Sequence, residues 1–229
     1  GKDVNQSGHN SYKDYYMSND LSSKKNYAFN ILAHEAAKES AEYIKKYLNK
    51  AIITDTGWWA IAVSKIEVKG LCLEFGVHTG KSINFLSKEK PKQIWHGFDS
   101  FVGFQEDWKG GFFAKGQFSL KGEKPKVNKN VILIKGFFKK TLPKFLKQHK
   151  DKVSLMHIDC DTYESTKEVL DIVGSERLVP NTRILFDEYH SYIGWKNGEF
   201  KAWQEFVKKH KIKYKYEMFG ERQALVKIC

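Results

Sequence analysis

Leu73-Glu74-Phe75-Gly76-Val77-His78-Thr79-Gly80-Lys81-Ser82 is the stretch that decides the fold. The apolar run 71–75 has the composition of a buried strand, and 81–87 reads as a helix. Gly76 and Gly80 lie between them. They let the backbone turn sharply and approach a ligand, while a helix start presents unpaired N–H groups. The spacing differs from the GxGxxG of pyrophosphate binders, and such a turn also occurs at strand-to-helix junctions that bind nothing.

Outward from this turn the pattern repeats. Further strands are expected at 93–98, 131–134, 153–158 and 183–186, and further helices at 141–149, 164–173 and 200–210. Alternation of this kind calls for a mostly parallel sheet with helices on both faces. The last 19 residues, 211–229, read as two β-runs joined by a tight turn at Phe219-Gly220-Glu221-Arg222, a C-terminal antiparallel hairpin. Segment 100–130, rich in Gly, Lys and Phe, is expected to form loops over the active face. Residues 1–23 are polar and expected to form a lid. Helical spacing of Tyr27, Ile31, Ala41, Ile44 and Leu48 predicts a helix within 24–50, with a shorter one at 57–64. The chain therefore divides into a lid and helical extension, 1–70, and an α/β catalytic domain, 71–229.

A chain of 229 residues suits one α/β domain with an extension. The net charge of +12 raises nucleic acid as a partner. Arg stands only at 177, 183 and 222, however, and the lysines are dispersed. Base and bidentate phosphate recognition favour Arg, so a solvated basic surface without nucleic-acid binding is expected. No apolar run is long enough for a membrane span and no secretory core opens the chain. Cys72, Cys160 and Cys229 are odd in number and widely spaced, which predicts free thiols and a cytoplasmic location. No zinc spacing is present.

The strand ends carry acids. Asp99 closes the second strand, where a carboxylate can accept hydrogen bonds from both ribose hydroxyls of a cofactor. The fourth strand runs out into Asp159-Cys160-Asp161 and the fifth into Asp187-Glu188. Four carboxylates on one sheet edge, with no Arg or Lys among them, repel strongly in a cleft. A hard divalent cation relieves this, Mg²⁺ first. In an extended run, 159 and 161 point the same way and Cys160 the opposite way. The plainer alternative makes these acids solvated strand ends and helix caps, with Asp161 a candidate cap. His78 and His190 read as incidental loop histidines, and Trp58, Trp59, Trp195 and Trp203 as core.

The stretches 73–82, 96–104, 135–145, 157–170 and 184–206 together resemble the macrocin O-methyltransferase family, enzymes that methylate sugar hydroxyls using S-adenosylmethionine and Mg²⁺. The resemblance implies a Rossmann-like methyltransferase sheet. It implies that Glu74, Gly76, Gly80, Ser82, Asp99 and Ser100 hold the cofactor, that Asp159, Asp187 and Glu188 hold Mg²⁺ or another hard dication, and that Asp161 is the general base. It also implies a small sugar or glycoside substrate and admits a homo-oligomer. Two positions depart from the family pattern: Pro180-Asn181 replaces paired glycines, and Glu188 replaces Asp, lengthening one ligand by a methylene. A catechol-type O-methyltransferase is the alternative substrate class. A nucleic-acid methyltransferase would need an Arg-bearing groove, and a non-enzymatic binding module would not need the acidic set.

Overall fold

A computed structural model describes residues 28–103 and 119–229. The expected lid, 1–23, and residues 104–118 of the expected active-face loops lie outside them. The described helices are α1 (Ala28–Ile44), α2 (Trp58–Ser64), α3 (Lys81–Glu89), α4 (Phe138–Gln148), α5 (Tyr163–Val173) and α6 (Glu199–His210). The strands are β1 (Ile52–Ile53), β2 (Leu71–Phe75), β3 (Trp95–Asp99), β4 (Val131–Lys135), β5 (Val153–Ile158), β6 (Arg183–Phe186), β7 (Tyr214–Phe219) and β8 (Ala224–Ile228).

The strands form one sheet in the order β1-β7-β8-β6-β5-β2-β3-β4. Among the described pairings only those made by β8 are antiparallel. The chain therefore builds a Rossmann-like methyltransferase sheet, mostly parallel and closed by a C-terminal antiparallel hairpin. Strand β1 was not expected. Its two residues are exposed and too few to show a period, and it extends the sheet beside β7. Strand β3 begins two residues later than read from sequence, and α4 three residues earlier, with Pro143 inside it.

Strands β2, β5 and β6 are buried along their whole length, as a sheet covered on both faces requires. Period-2 alternation sorts their residues. Leu73, Phe75, Met156, Ile158, Ile184 and Phe186 face the core that also holds residues of α4, α5 and α6. Cys72, Leu155 and Leu185 face the core shared with α2 and α3. Trp195 and Trp203 are buried and Trp58 and Trp59 pack partly into the core, as read. The three cysteines are free. No helix among the described residues is long and apolar enough to cross a membrane.

The order places β5 beside β2, after β3 and β4 have been laid on the other side of β2. This is a topological switch point, where the crossovers diverge and leave a crevice outside the carboxyl ends of the strands.

Candidate active site

The crevice is assembled by register. Parallel pairing sets Glu74 opposite both Gly97 and His157, and His157 opposite Leu185. Paired residues of parallel strands share a face, and positions two apart share it as well. Continuing the strands outward therefore brings Asp99, Asp159 and Asp187 to the α2/α3 face with Glu74 and His157. Ladder bonds carry the register past the strand ends: Gly76 N–H to Phe98 C=O (2.9 Å), Asp159 N–H to Phe75 C=O (2.8 Å) and Asp187 N–H to Ile158 C=O (3.0 Å).

Glu74 is fully buried. Its Oε2 accepts from Ser82 Oγ at 2.8 Å and lies 2.8 Å from His157 Nδ1. Its Oε1 is buried with no hydrogen-bond partner in the structure. Burial holds the Glu74 carboxyl above its usual range, opposed by His157. For His157 burial disfavours the charge, but Asp187 and Glu74 overcome it and push the imidazole up to about 9. His157 Nε2 and Asp187 Oδ1 are 3.5 Å apart, too long for a good hydrogen bond, so their attraction is ionic.

Asp99 also organises the glycine turn. Its Oδ2 accepts from the N–H groups of Val77 and His78, both at 2.8 Å, and its Oδ1 from Phe101 N–H at 2.8 Å. Oδ1 retains acceptor capacity for a further donor. Ser100 Oγ accepts from Val102 N–H at 3.3 Å. Gly76 has φ +90°, and a Cβ there would lie 1.9 Å from the Asp159 carbonyl oxygen. That contact makes glycine a packing requirement of the β2/β5 junction, whatever ligand the turn meets. Gly80 has φ +82° and caps α3.

Asp159 and Asp187 come together, but Asp161 does not follow the expected route. Asp161 is not in an extended run: β5 ends at Ile158, and Asp161 has φ +63° in a tight turn where Thr162 N–H donates to Cys160 C=O at 2.7 Å. Such a conformation is uncommon for a non-glycine residue, although Asp is among the residues that adopt it more readily. Nor is Asp161 the helix cap. Thr162 caps α5, accepting from Ser165 N–H at 3.1 Å. The carboxyl of Asp161 is raised by burial and by the charges of Glu188, Asp187 and Asp99, with Arg222 opposing. Asp159 is raised by burial and by Asp187, Asp161, Glu74 and Glu199.

The acidic edge is not free of cations. The β7–β8 turn brings Arg222 Nη1 to 3.2 Å from Glu188 Oε2. Burial raises Glu188 to about 7, with Arg222 opposing and Asp187 reinforcing the rise. One oxygen each of Asp159 and Asp187, with a ring nitrogen of His157, all lie within 4.8 Å of one another, a separation that allows one metal ion. Glu188 is not part of that group.

Sequence reasoning missed His157, Arg222 and Glu199. His157 stands two residues before Asp159 and so shares its face, a signal hidden inside an apolar strand. Glu199 is fully buried at the start of α6, accepts from Glu188 N–H at 3.0 Å and leaves Oε1 without a partner. An acid in a first helical turn reads as an exposed dipole partner, so nothing marked it for the site. His190 is buried, with Nε2 3.1 Å from Gln223 C=O and Nδ1 2.7 Å from Ser191 Oγ, as an incidental histidine would be.

This arrangement can hold a cationic or hydroxyl-bearing ligand at Glu74 and Asp99 and a dication at the adjacent carboxylates. Comparison with known proteins agrees with the fold. The chain is similar to the O-methyltransferase NovP, at 18% identity over 74% of this chain and 77% of that one, with a TM-score of 0.55. It is also similar to CalS11, a TDP-rhamnose 3'-O-methyltransferase of calicheamicin biosynthesis, at 18% identity over 99% of each chain and the same TM-score of 0.55. No curated protein matches the sequence. A family model described as a methyltransferase domain matches residues 73–189, just over half of the chain and every site acid but Glu199. The chain belongs to this methyltransferase domain family.

Proposed function

We propose that the chain is an S-adenosylmethionine-dependent O-methyltransferase of the macrocin type, acting with Mg²⁺ or another hard dication on a hydroxyl of a sugar. The sugar would be part of a glycan, a nucleotide sugar or a glycoside. One observation carries the reading. The partnerless, buried Oε1 of Glu74 and the converging carboxylates of Asp159 and Asp187 lie on the same face, at the crevice between β2 and β5.

The residues fit both groups. Glu74 Oε1 is a buried acceptor awaiting a donor, as the ammonium end of the cofactor provides. Asp99, with acceptor capacity left on Oδ1, would take the ribose hydroxyls, and Gly76, Gly80, Ser82 and Ser100 would line the same turn. Of the three ligands expected from sequence, Asp159 and Asp187 would hold the dication, while Glu188, paired with Arg222, would stand beside it. The cofactor supplies an electrophilic methyl group and the dication supplies charge that orients and acidifies a hydroxyl. Asp161 would remove the hydroxyl proton, a role worth about 10²–10⁴ in rate. Asp161 lies outside the converging ligand atoms, which leaves its carboxylate available to accept a proton. The sugar assignment rests on the macrocin-type motifs and on the stated substrate of CalS11. A cytoplasmic location with no nucleic-acid partner, and self-association as an option, complete the reading.

The test is turnover of S-adenosylmethionine against nucleotide sugars, glycosides and catechols, with chelator and with added Mg²⁺. Methylation of a sugar that stops with chelator and returns with Mg²⁺ is expected. Asp161→Asn should lower kcat by about 10² or more while cofactor and cation affinities stay within about threefold. Catechol turnover alone would move the substrate class. Full turnover in chelator would remove the dication, and normal turnover by Asp161→Asn would remove the base.

A further inference from the structure

We propose that His157 supplies a nitrogen ligand to the bound dication through Nε2, making the site a mixed set of one imidazole and two carboxylates that prefers Mn²⁺ to Mg²⁺. This rests on the metal-dependent reading above and narrows which cation the chain is built to hold.

Three observations converge on it. First, the ring is oriented from behind. His157 Nδ1 lies 2.8 Å from Glu74 Oε2, which is itself fixed by Ser82 Oγ at 2.8 Å, and both partners are fully buried. A histidine that ligates a metal characteristically gives its other ring N–H to a carboxylate, which sets the tautomer and aims the remaining nitrogen. Second, that remaining nitrogen is buried without a hydrogen bond, Asp187 Oδ1 standing 3.5 Å from it, an arrangement that a closer partner would complete. Third, a ring nitrogen of His157 and one oxygen each from Asp159 and Asp187 lie within 4.8 Å of one another, and Nε2 is 3.5 Å from Asp187 Oδ1. Ligands with metal bonds of about 2.0–2.2 Å sit about 3 Å apart when adjacent and about 4.3 Å when opposed, so one ion can satisfy all three with small adjustments.

The third carboxylate expected from sequence is engaged elsewhere. Glu188 Oε2 pairs with Arg222 Nη1 at 3.2 Å. With Glu188 at the rim, His157 stands where a third ligand is needed. Imidazole suits transition dications, whereas Mg²⁺ prefers carboxylate, carbonyl and water oxygens. Exchanging a carboxylate for an imidazole therefore shifts selectivity toward Mn²⁺. The competing arrangement is an imidazolium held between Glu74 and Asp187, with any cation bound by oxygen alone.

The test uses the full chain with Mn²⁺ and Mg²⁺ as probes and reads binding rather than turnover. Titration calorimetry should give Mn²⁺ at least tenfold tighter than Mg²⁺, and pulsed electron paramagnetic resonance of bound Mn²⁺ should show coupling to one imidazole ¹⁴N. His157→Gln should lose at least tenfold in Mn²⁺ affinity and less than threefold in Mg²⁺ affinity, which a merely structural role would not separate. The wild-type spectrum does not depend on that variant folding. Bound Mn²⁺ without nitrogen coupling would overturn the inference and leave the metal-dependent reading standing. Failure of either cation to bind, with Asp159→Ala and Asp187→Ala indistinguishable from wild type, would overturn both.

Discussion

Gly76→Ala tests the claim that the β2/β5 junction is what sets the site. Gly57 provides the control, because it also has positive φ (+73°) but has nothing within 4 Å of the position a Cβ would take. Gly57→Ala should therefore cost only the left-handed strain, about 1–2 kcal/mol. Gly76 has φ +90° and its added carbon would lie 1.9 Å from Asp159 O and 2.7 Å from Asp159 C, both backbone atoms. No side chain can rotate away, so the start of the 159–161 turn must retreat by about 1 Å or more, an overpacking cost of about 1–3 kcal/mol. That retreat stretches the 2.8 Å bond from Asp159 N–H to Phe75 C=O, worth about 1 kcal/mol. The sum is about 4 kcal/mol, a large share of a typical domain's stability. Urea unfolding of both variants measures the difference. Calorimetry of the folded Gly76→Ala protein should also show dication affinity reduced at least tenfold, with Gly57→Ala unchanged. Equal unfolding costs for the two variants, or unaltered dication binding in Gly76→Ala, would refute the packing argument.

Asp99→Ala should lose at least tenfold in affinity for S-adenosylhomocysteine, about 1.4 kcal/mol by calorimetry, and should also lower the melting temperature, because three backbone N–H groups lose their acceptor. Unchanged affinity would take Asp99 out of the ribose site. Without a cation, stability should fall from about pH 6.5 to pH 9, above the range in which His96 and His190, both lowered to about 4 by burial, oppose the trend. Asp159, Asp161 and Glu188 have folded pKa values raised above the unfolded values near 4, Glu188 to about 7, so the folded state binds more protons than the unfolded one and loses stability as pH rises through the folded values. His157, raised to about 9, contributes stability that is fully present below about 6.5 and lost as pH passes 9. Saturating dication should raise the melting temperature more at pH 8 than at pH 5; a cation-free melting temperature that climbs with pH would contradict these assignments.

Much of the site was legible because its grammar is local. The glycine turn at 76–80 and the acids following apolar runs at 99, 159 and 187 can be read from composition and period alone, and β-strand alternation then predicts a shared face. The route to Asp161 was misread because a three-residue turn with positive φ leaves no trace in a short polar stretch. Strand β1 escaped notice because two exposed isoleucines carry no period.

What the sequence by itself determined is the alternation of strands and helices, the hairpin at the end of the chain and the placement of acids at strand carboxyl ends. All of these follow from side-chain patterns within a few residues. The tertiary structure alone decided which groups meet there. Glu74 and His157 are 83 residues apart and touch only because β2 and β5 pair in one register. Arg222 reaches Glu188 only because β8 runs antiparallel beside β6 and returns its turn to the acidic edge. Glu199 is buried among the acids because α6 starts beside the Glu188 backbone. Strand order and register are properties of the assembled sheet, set by how its faces pack. They convert a row of strand-end carboxylates into a site with a buried imidazole, a counter-cation and an unfilled acceptor.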